Sequence, residues 1–579
     1  MMLRSLPALL RIALVAAIAF PLAARADPAP IISDFAIARP VVATHGMVVS
    51  QEAVASNIGV DILKRGGNAV DAAVAVGFAL AVTLPRAGNI GGGGFMLIHR
   101  ADLNKTIAID YRESAPALTT RDVFLDANGE ADPFKSRFSG LAIGVPGTVA
   151  GLELAWRQYG SGRFSLADLV APAARLAHQG LKVDDDLADS LPAAAPLLAQ
   201  HPSSARIYLA PDGSAPAVGA HIALDDLAAT LDAIAAGGAA AFYRGPIAQK
   251  IVAAVRQAGG RMTLDDLANY RAVEREPVRG TYRGHEIVSM PPPSSGGAHI
   301  VEILNILEGF PLGEQGLNSA ATIHEMAEAE KLAYADRAAY LGDPDFVRIP
   351  LRGLTSKAYA DHLRASIAPD RARPASEIGP GGPQRFESDQ TTHFSVVDAD
   401  GDAVSNTYTL NFSYGSGLVA EGTGVLLNNE LDDFSAKRGA ANAYGLLGGD
   451  ANAPGPNKRP LSSMSPTLVF KDGQIELATG SPGGSRIITT VLQIIVDVID
   501  FGLNVAEAEE APRVHDQGFP DELRIERGLS PDTIRLLQGM GYRVVVREAM
   551  GSANTIAREG GVLTGASDPR QRGTLAAGY

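Results

Sequence analysis

Apolar residues recur at helical spacing through much of the first 340 positions of the chain. Ala53, Ile58, Ile62 and Leu63 share one face of residues 51–67, and Gly66-Gly67 forms a stop. Asn68 is placed to cap a second helix, 69–84, which is apolar on most faces and therefore predicted to be buried. That stretch is short and carries Asp71, so it reads as a core helix rather than a membrane span. Four glycines, 91–94, precede a short strand at 95–98, and further helices are predicted at 147–159, 166–178, 224–236 and 319–340. Residues 291–297 form a turn cluster. The pattern changes at 366–390, a polar linker rich in Pro and Gly without periodicity. Beyond it, segments 393–397 and 403–409 flank Asp398-Ala399-Asp400-Gly401-Asp402, a hairpin signal, followed by a strand at 468–470, a turn at 471–473 and an apolar helix at 487–499. Helices first, then strands and a helix, predict an α+β fold of layered sheets faced by helices.

Composition narrows the chemistry. The 579 residues include no cysteine, which excludes disulfides, thiolate metal sites, iron–sulfur clusters and a cysteine nucleophile. A net charge of −14 with no basic cluster speaks against a nucleic-acid partner. Arg4 and Arg11 precede an apolar run at 12–20, and Ala24-Arg25-Ala26 offers small residues at both positions a signal peptidase reads. Residues 1–26 are therefore expected to be a secretory signal. Its removal takes away three arginines and no acids, moving the net charge from −14 to −17. The mature protein is expected to be periplasmic or secreted, and free of the membrane.

The common motifs are missing. There is no G-x-S-x-G elbow and no phosphate loop. Glycines 91–94 lack the third glycine of a dinucleotide fingerprint and read as a tight turn with close backbone approach. His324-Glu325-Met326-Ala327-Glu328 opens like a zinc-protease helix but has no second histidine, so it reads as a solvated helix face, and no metal or cofactor is expected. A hydrolase built on this chain needs a nucleophile that is neither Cys nor an elbow Ser. Thr391, in Asp389-Gln390-Thr391-Thr392-His393, is by itself only a good strand residue. Its neighbours change the balance, because Thr409 ends the partner strand of the hairpin.

Six stretches in order resemble the gamma-glutamyltranspeptidase family: residues 87–96, 110–113, 290–297, Gln390-Thr391-Thr392-His393, 457–466 and 480–486. The resemblance covers essentially the whole mature chain. It implies the N-terminal-nucleophile hydrolase fold, an αββα four-layer sandwich built jointly by two chains from one precursor. Cleavage between Gln390 and Thr391 would give a large subunit, 27–390, and a small one, 391–579, which associate. Thr391 is then the nucleophile, its freed α-amine the base. The resemblance assigns Thr409 to a hydrogen bond with Thr391, and the N–H groups of Gly483 and Gly484 to the oxyanion. It places Arg112, Ser462 and Ser463 on the donor's α-carboxylate, and Asn411, Glu430 and Asp433 on its ammonium. Glu430 stands where some bacterial relatives carry Gln. Residues 437–450 resemble a lid over the donor site, with Tyr444 as the gating aromatic. The implied substrates are glutathione and related gamma-glutamyl compounds, with water or an amino acid or peptide amine as acceptor. Two other readings stay open: an acylase of glutaryl-type side chains, in which Asp433 would be idle, and a non-catalytic exported solute-binding protein.

Overall fold

The computed structural model describes residues 36–383 and 394–579; the expected signal, 1–26, and the Gln390–Thr391 junction lie outside the described residues. Two seven-stranded sheets organise Ala38–Tyr579. The first runs, in hydrogen-bonded order, Leu575–Gly578, Gly46–Ser50, Phe394–Asp398, Ala403–Thr409, Gly93–Arg100, Lys105–Tyr111 and Val273–Arg275. The second runs Val41–Ala43, Val562–Ser567, Asn554–Glu559, Gln474–Thr479, Thr467–Lys471, His285–Ser289 and Val278–Tyr282. Every pairing in both is antiparallel.

Strand alternation divides the core into layers. Val48, Met96, Ile98, Phe394 and Val396 face one apolar cluster. Met47, Val49, Phe95, Leu97 and Val397 face the other, which fills the space between the sheets and continues beyond the second. Helices Ala69–Thr83 and Thr148–Tyr159 cover the first sheet, with Leu166–Gln179 and Asp225–Tyr243 packed on them, while Gly296–Leu307 and Val505–Glu510 cover the second, with Ala320–Tyr340 and Ile487–Ile499 packed on them. The result is the αββα sandwich. Ala69–Thr83 is buried along its whole length, as its composition predicts, and Asn68 caps it by accepting from Asp71 N–H at 3.0 Å. Asp398, at the hairpin turn, accepts from Ala69 N–H at 2.9 Å and ties the two elements together.

Several expectations need correction. The first 340 residues are rich in helix but hold more strands than expected: six strands before residue 290 belong to the sheets besides Gly93–Arg100, which itself extends well beyond 95–98. The helix expected at 224–236 ends where expected, because Gly238 takes φ +62°, a non-helical conformation that breaks the run, and a second short helical segment follows to Tyr243. The His324 helix is not solvated. His324, Glu328 and Glu330 are buried, with His324 Nδ1 2.8 Å from the Tyr542 hydroxyl and Nε2 2.6 Å from Ala368 O. Its charged residues misled because the helix is packed on several sides, so they meet protein rather than water.

Glycines 91–94 do mark close backbone approach. A β-carbon on Gly94 would lie 2.4 Å from both Thr407 O and Tyr408 Cβ on the paired strand. Gly94→Ala therefore forces the Gly93–Arg100 and Ala403–Thr409 strands apart, at a cost of about 1–3 kcal/mol. A thermal scan should show a lowered midpoint, whereas Gly379→Ala, where nothing lies within 4 Å of the added carbon, should leave it unchanged.

Candidate active site

A cavity of about 620 Å³ opens where the ends of the central strands meet three loops, and Phe394, Thr409, Asn411, Glu430, Asp433, Tyr444, Ser462, Ser463, Gly483 and Gly484 all line it. Nine of the ten site positions expected from the sequence within the described residues thus converge; Thr391 and Gln390 lie outside those residues. Arg112 is the tenth, and it sits behind the wall.

Gly483 and Gly484 follow the Gln474–Thr479 strand and lead into the Ile487–Ile499 helix. Their φ values, +138° and +61°, suit glycine, and both residues line the cavity at the head of a helix. No described group accepts from either N–H. Across the cavity, Asn411 adopts φ +76° and its N–H donates to Thr409 Oγ1 at 2.8 Å.

Ser462 is held by the turn cluster at 291–297, and Ser463 by the Ala320–Tyr340 helix. Ser462 N–H donates to Pro293 O at 3.0 Å, and Ser462 O accepts from both the N–H (2.9 Å) and the hydroxyl (2.8 Å) of Ser295. Ser463 Oγ accepts from Arg337 Nη2 at 3.1 Å.

The resemblance sets Arg112 on one end of a donor and Glu430 and Asp433 on the other. The structure joins them. The Arg112 guanidinium, fully buried, donates to Glu430 Oε1, to Asp433 Oδ2 at 2.6 Å and to Pro460 O at 3.1 Å. Glu113 lies 3.9 Å from Arg112, and neither of its carboxylate oxygens accepts from a described donor. Burial, then the Glu430 charge, push Glu113 well above the usual carboxylate range. Burial also raises Glu430, to about 7, against the pull of Arg112. The repulsion between these two buried carboxyls favours a proton on one of them.

Residues 437–450 fold over this cluster. The Tyr444 hydroxyl lies 3.0 Å from both Asn411 O and Asn411 Oδ1, so it can donate to either, and its ring sits where a Gly484 β-carbon would be, 2.5 Å away. Asn442 Nδ2 donates to Asp433 Oδ1 at 3.2 Å. The loop therefore touches the acidic cluster and the glycine pair at once.

Sequence reasoning missed Arg337, Ser295 and Glu113. Nothing in a single sequence marks Arg337, which follows an ordinary run of helix charges; only packing shows that it is buried behind the serine pair. Among the described residues no cluster of His, Asp and Glu could hold a metal ion, and no helix is long and apolar enough to cross a membrane.

Comparison with known proteins places this architecture. A family profile described as gamma-glutamyltranspeptidase matches residues 55–578. The chain is 56% identical over 562 residues to the glutathione hydrolase proenzyme of Escherichia coli (strain K12), with 96% of each chain covered. It is 38% identical over 556 residues to the acylase ACY 1 proenzyme of Pseudomonas sp. (strain V22), with 94% of this chain and 96% of that one covered. Among solved structures, cephalosporin acylase from Bacillus halodurans matches with a TM-score of 0.83 at 30% identity, over 96% of this chain and 99% of that one. Helicobacter pylori gamma-glutamyltranspeptidase matches at 42% identity with a TM-score of 0.56, over 60% and 97% of the two chains. The fold is that of the N-terminal-nucleophile hydrolases, and the chain is an enzyme of that class. It belongs to the gamma-glutamyltranspeptidase family.

The raised Glu430 makes stability depend on pH. The folded protein holds this proton up to about pH 7, whereas the ordinary value is 4.5. Native protein thus binds more protons than unfolded chain between these values, and this contribution to stability is lost as pH rises through about 7. Glu430→Gln removes the titration, so thermal midpoints at pH 5 and pH 8 should differ less in the variant than in wild type.

Proposed function

We propose that the chain is an exported, self-processing gamma-glutamyl transferase and hydrolase that acts on glutathione and related gamma-glutamyl compounds. The observation that carries this reading is the single cavity that brings two free glycine amides, a serine pair, Asn411 and two acids to the strand that follows Thr391. Phe394, three residues past Thr391, pairs with Asn406, three residues before Thr409. The name glutathione hydrolase proenzyme, carried by a relative 56% identical, supports both the donor and the precursor.

Processing starts when Thr391 Oγ attacks the Gln390 carbonyl and the C–N bond breaks, leaving an ester and a free Thr391 amine. Water opens the ester, giving the Gln390 carboxylate and a free hydroxyl. The new amine has a reference pKa of about 7.7–8.0, suited to accept the hydroxyl proton near neutrality. Thr391 Oγ then attacks the donor's side-chain amide carbon. Gly483 and Gly484 N–H groups stabilise the oxyanion, a contribution typically on the order of 10²–10³ in rate for one donor. The leaving amine takes the proton, and water or an acceptor amine releases the glutamyl group from the threonine ester. Thr409 orients the nucleophile.

Donor recognition exchanges one set of ion pairs for another. Arg112 is held by Glu430 and Asp433 within the protein. An incoming α-carboxylate, steadied by Ser462 and Ser463, takes the place of an acid on Arg112, and the α-ammonium takes Asp433, Glu430 and the Asn411 amide oxygen. Because the ligand end is zwitterionic, the buried charge stays balanced. Tyr444, over Gly484, closes the site as the lid. Asp433 favours this reading over a glutaryl-specific acylase, since an amine-free donor leaves it without a ligand partner.

On a denaturing gel, protein freed of residues 1–26 should run as two chains of 364 and 189 residues, 27–390 and 391–579. Thr391→Ala should give one uncleaved chain without activity. A single wild-type band overturns the processing, and faster hydrolysis of a glutaryl than of a gamma-glutamyl anilide overturns the substrate.

A further inference from the structure

Arg337, on the Ala320–Tyr340 helix, is 5% exposed and forms no ion pair with a described carboxylate. Its Nη2–H donates to Ser463 Oγ at 3.1 Å and its Nε–H to Ser295 Oγ at 2.8 Å. A serine hydroxyl that accepts from a guanidinium keeps one proton to give. Ser295 gives its proton to Ser462 O, 2.8 Å away. Ser463 lines the cavity, and no described group receives its hydroxyl proton. One cation therefore fixes both members of the serine pair, Ser462 through Ser295 and Ser463 directly. Arg112, by contrast, already has two carboxylates of its own.

We propose that Arg337 is a positioning residue for donor recognition: it holds the Ser463 hydroxyl as a donor toward the cavity and supplies the positive potential that draws the α-carboxylate of a gamma-glutamyl compound to the serine pair. The inference rests on the assignment of Ser463 to that carboxylate. A buried guanidinium whose hydrogen-bond acceptors are neutral hydroxyls favours an arriving anion, and Asp433, whose charge also acts on it, is held by Arg112. The guanidinium need not touch the ligand; the hydroxyl carries the contact.

The test uses self-processed enzyme, verified by two bands on a gel, in wild type, Arg337→Gln, Arg337→Lys, Ser463→Ala and the Arg337→Gln/Ser463→Ala pair. L-glutamate and 4-aminobutyrate serve as competitive inhibitors, because only the first has an α-carboxylate. Arg337→Gln should raise KM for a gamma-glutamyl anilide and Ki for L-glutamate about tenfold, the size of one charge-assisted hydrogen bond, with kcat changed less than about twofold. Ki for 4-aminobutyrate should not move. In the Ser463→Ala background Arg337→Gln should add little, and Arg337→Lys should recover part of the loss. Equal weakening of both inhibitors, or full additivity of the two substitutions, overturns the inference. If Ser463→Ala alone leaves Ki for L-glutamate unchanged, the Ser463 assignment fails, and the inference with it. Should Arg337→Gln not self-process, Ser295→Ala, which removes one anchor of the guanidinium, must give the same selectivity for L-glutamate; its failure to do so is equally decisive.

Discussion

Backbone pairing between segments far apart in sequence is the constraint on which the rest of the molecule depends. In the first sheet, Phe394–Asp398 and Ala403–Thr409 lie between Gly46–Ser50 and Gly93–Arg100, so strands from beyond residue 390 are bracketed by strands from before it. The second sheet has the same arrangement: four late strands lie between Val41–Ala43 and His285–Ser289. Each ladder satisfies buried N–H and C=O groups that would otherwise be costly to leave unpaired. In a chain without cysteine, these ladders and the two apolar clusters join the regions before and after residue 390, with no need of a covalent link.

The same pairing builds the cavity. Because the central strands end together, loops from distant parts of the chain meet above them: the turn after Thr409, the acidic segment Glu430–Asp433, the serine pair and the Gly483-Gly484 bend. Behind them stand buried charges, which a protein tolerates only when they are paired or neutralised. Asp110 accepts from the backbone N–H of Arg112 at 3.0 Å and pairs with Arg459 and Arg275, each at 2.8 Å. The Arg112 cluster is thus fixed from behind.

The turn at 291–297 and the Ala320–Tyr340 helix play a similar part for the serine pair. Neither bears a group expected to meet substrate, yet Ser462 and Ser463 are held by their backbone and side chains. The motif at 290–297 is a support, and its value lies in the backbone on either side of Ser463 that it fixes some 170 positions later, at Ser462 O and Met464 O.

The sequence by itself determined the elements whose signal is local: the buried helix capped by Asn68, the Asp398–Asp402 hairpin, the close approach at glycines 91–94 and the run of motifs that marks the family. These depend on φ, capping and alternation, which a short stretch encodes on its own. It did not reveal the strands at Lys105–Tyr111 and Val278–Tyr282, which need neighbours to complete their pairing. Nor did it distinguish a solvated helix from a buried one at His324, since burial there is decided by what packs on each side. The tertiary structure alone decided that Arg112 pairs with Glu430 and Asp433, that Glu113 is buried beside them, and that Arg337 stands behind Ser463. The physical reason is the range of the forces: turns and caps act within a few residues, but ion pairing and desolvation depend on which distant groups the fold brings together.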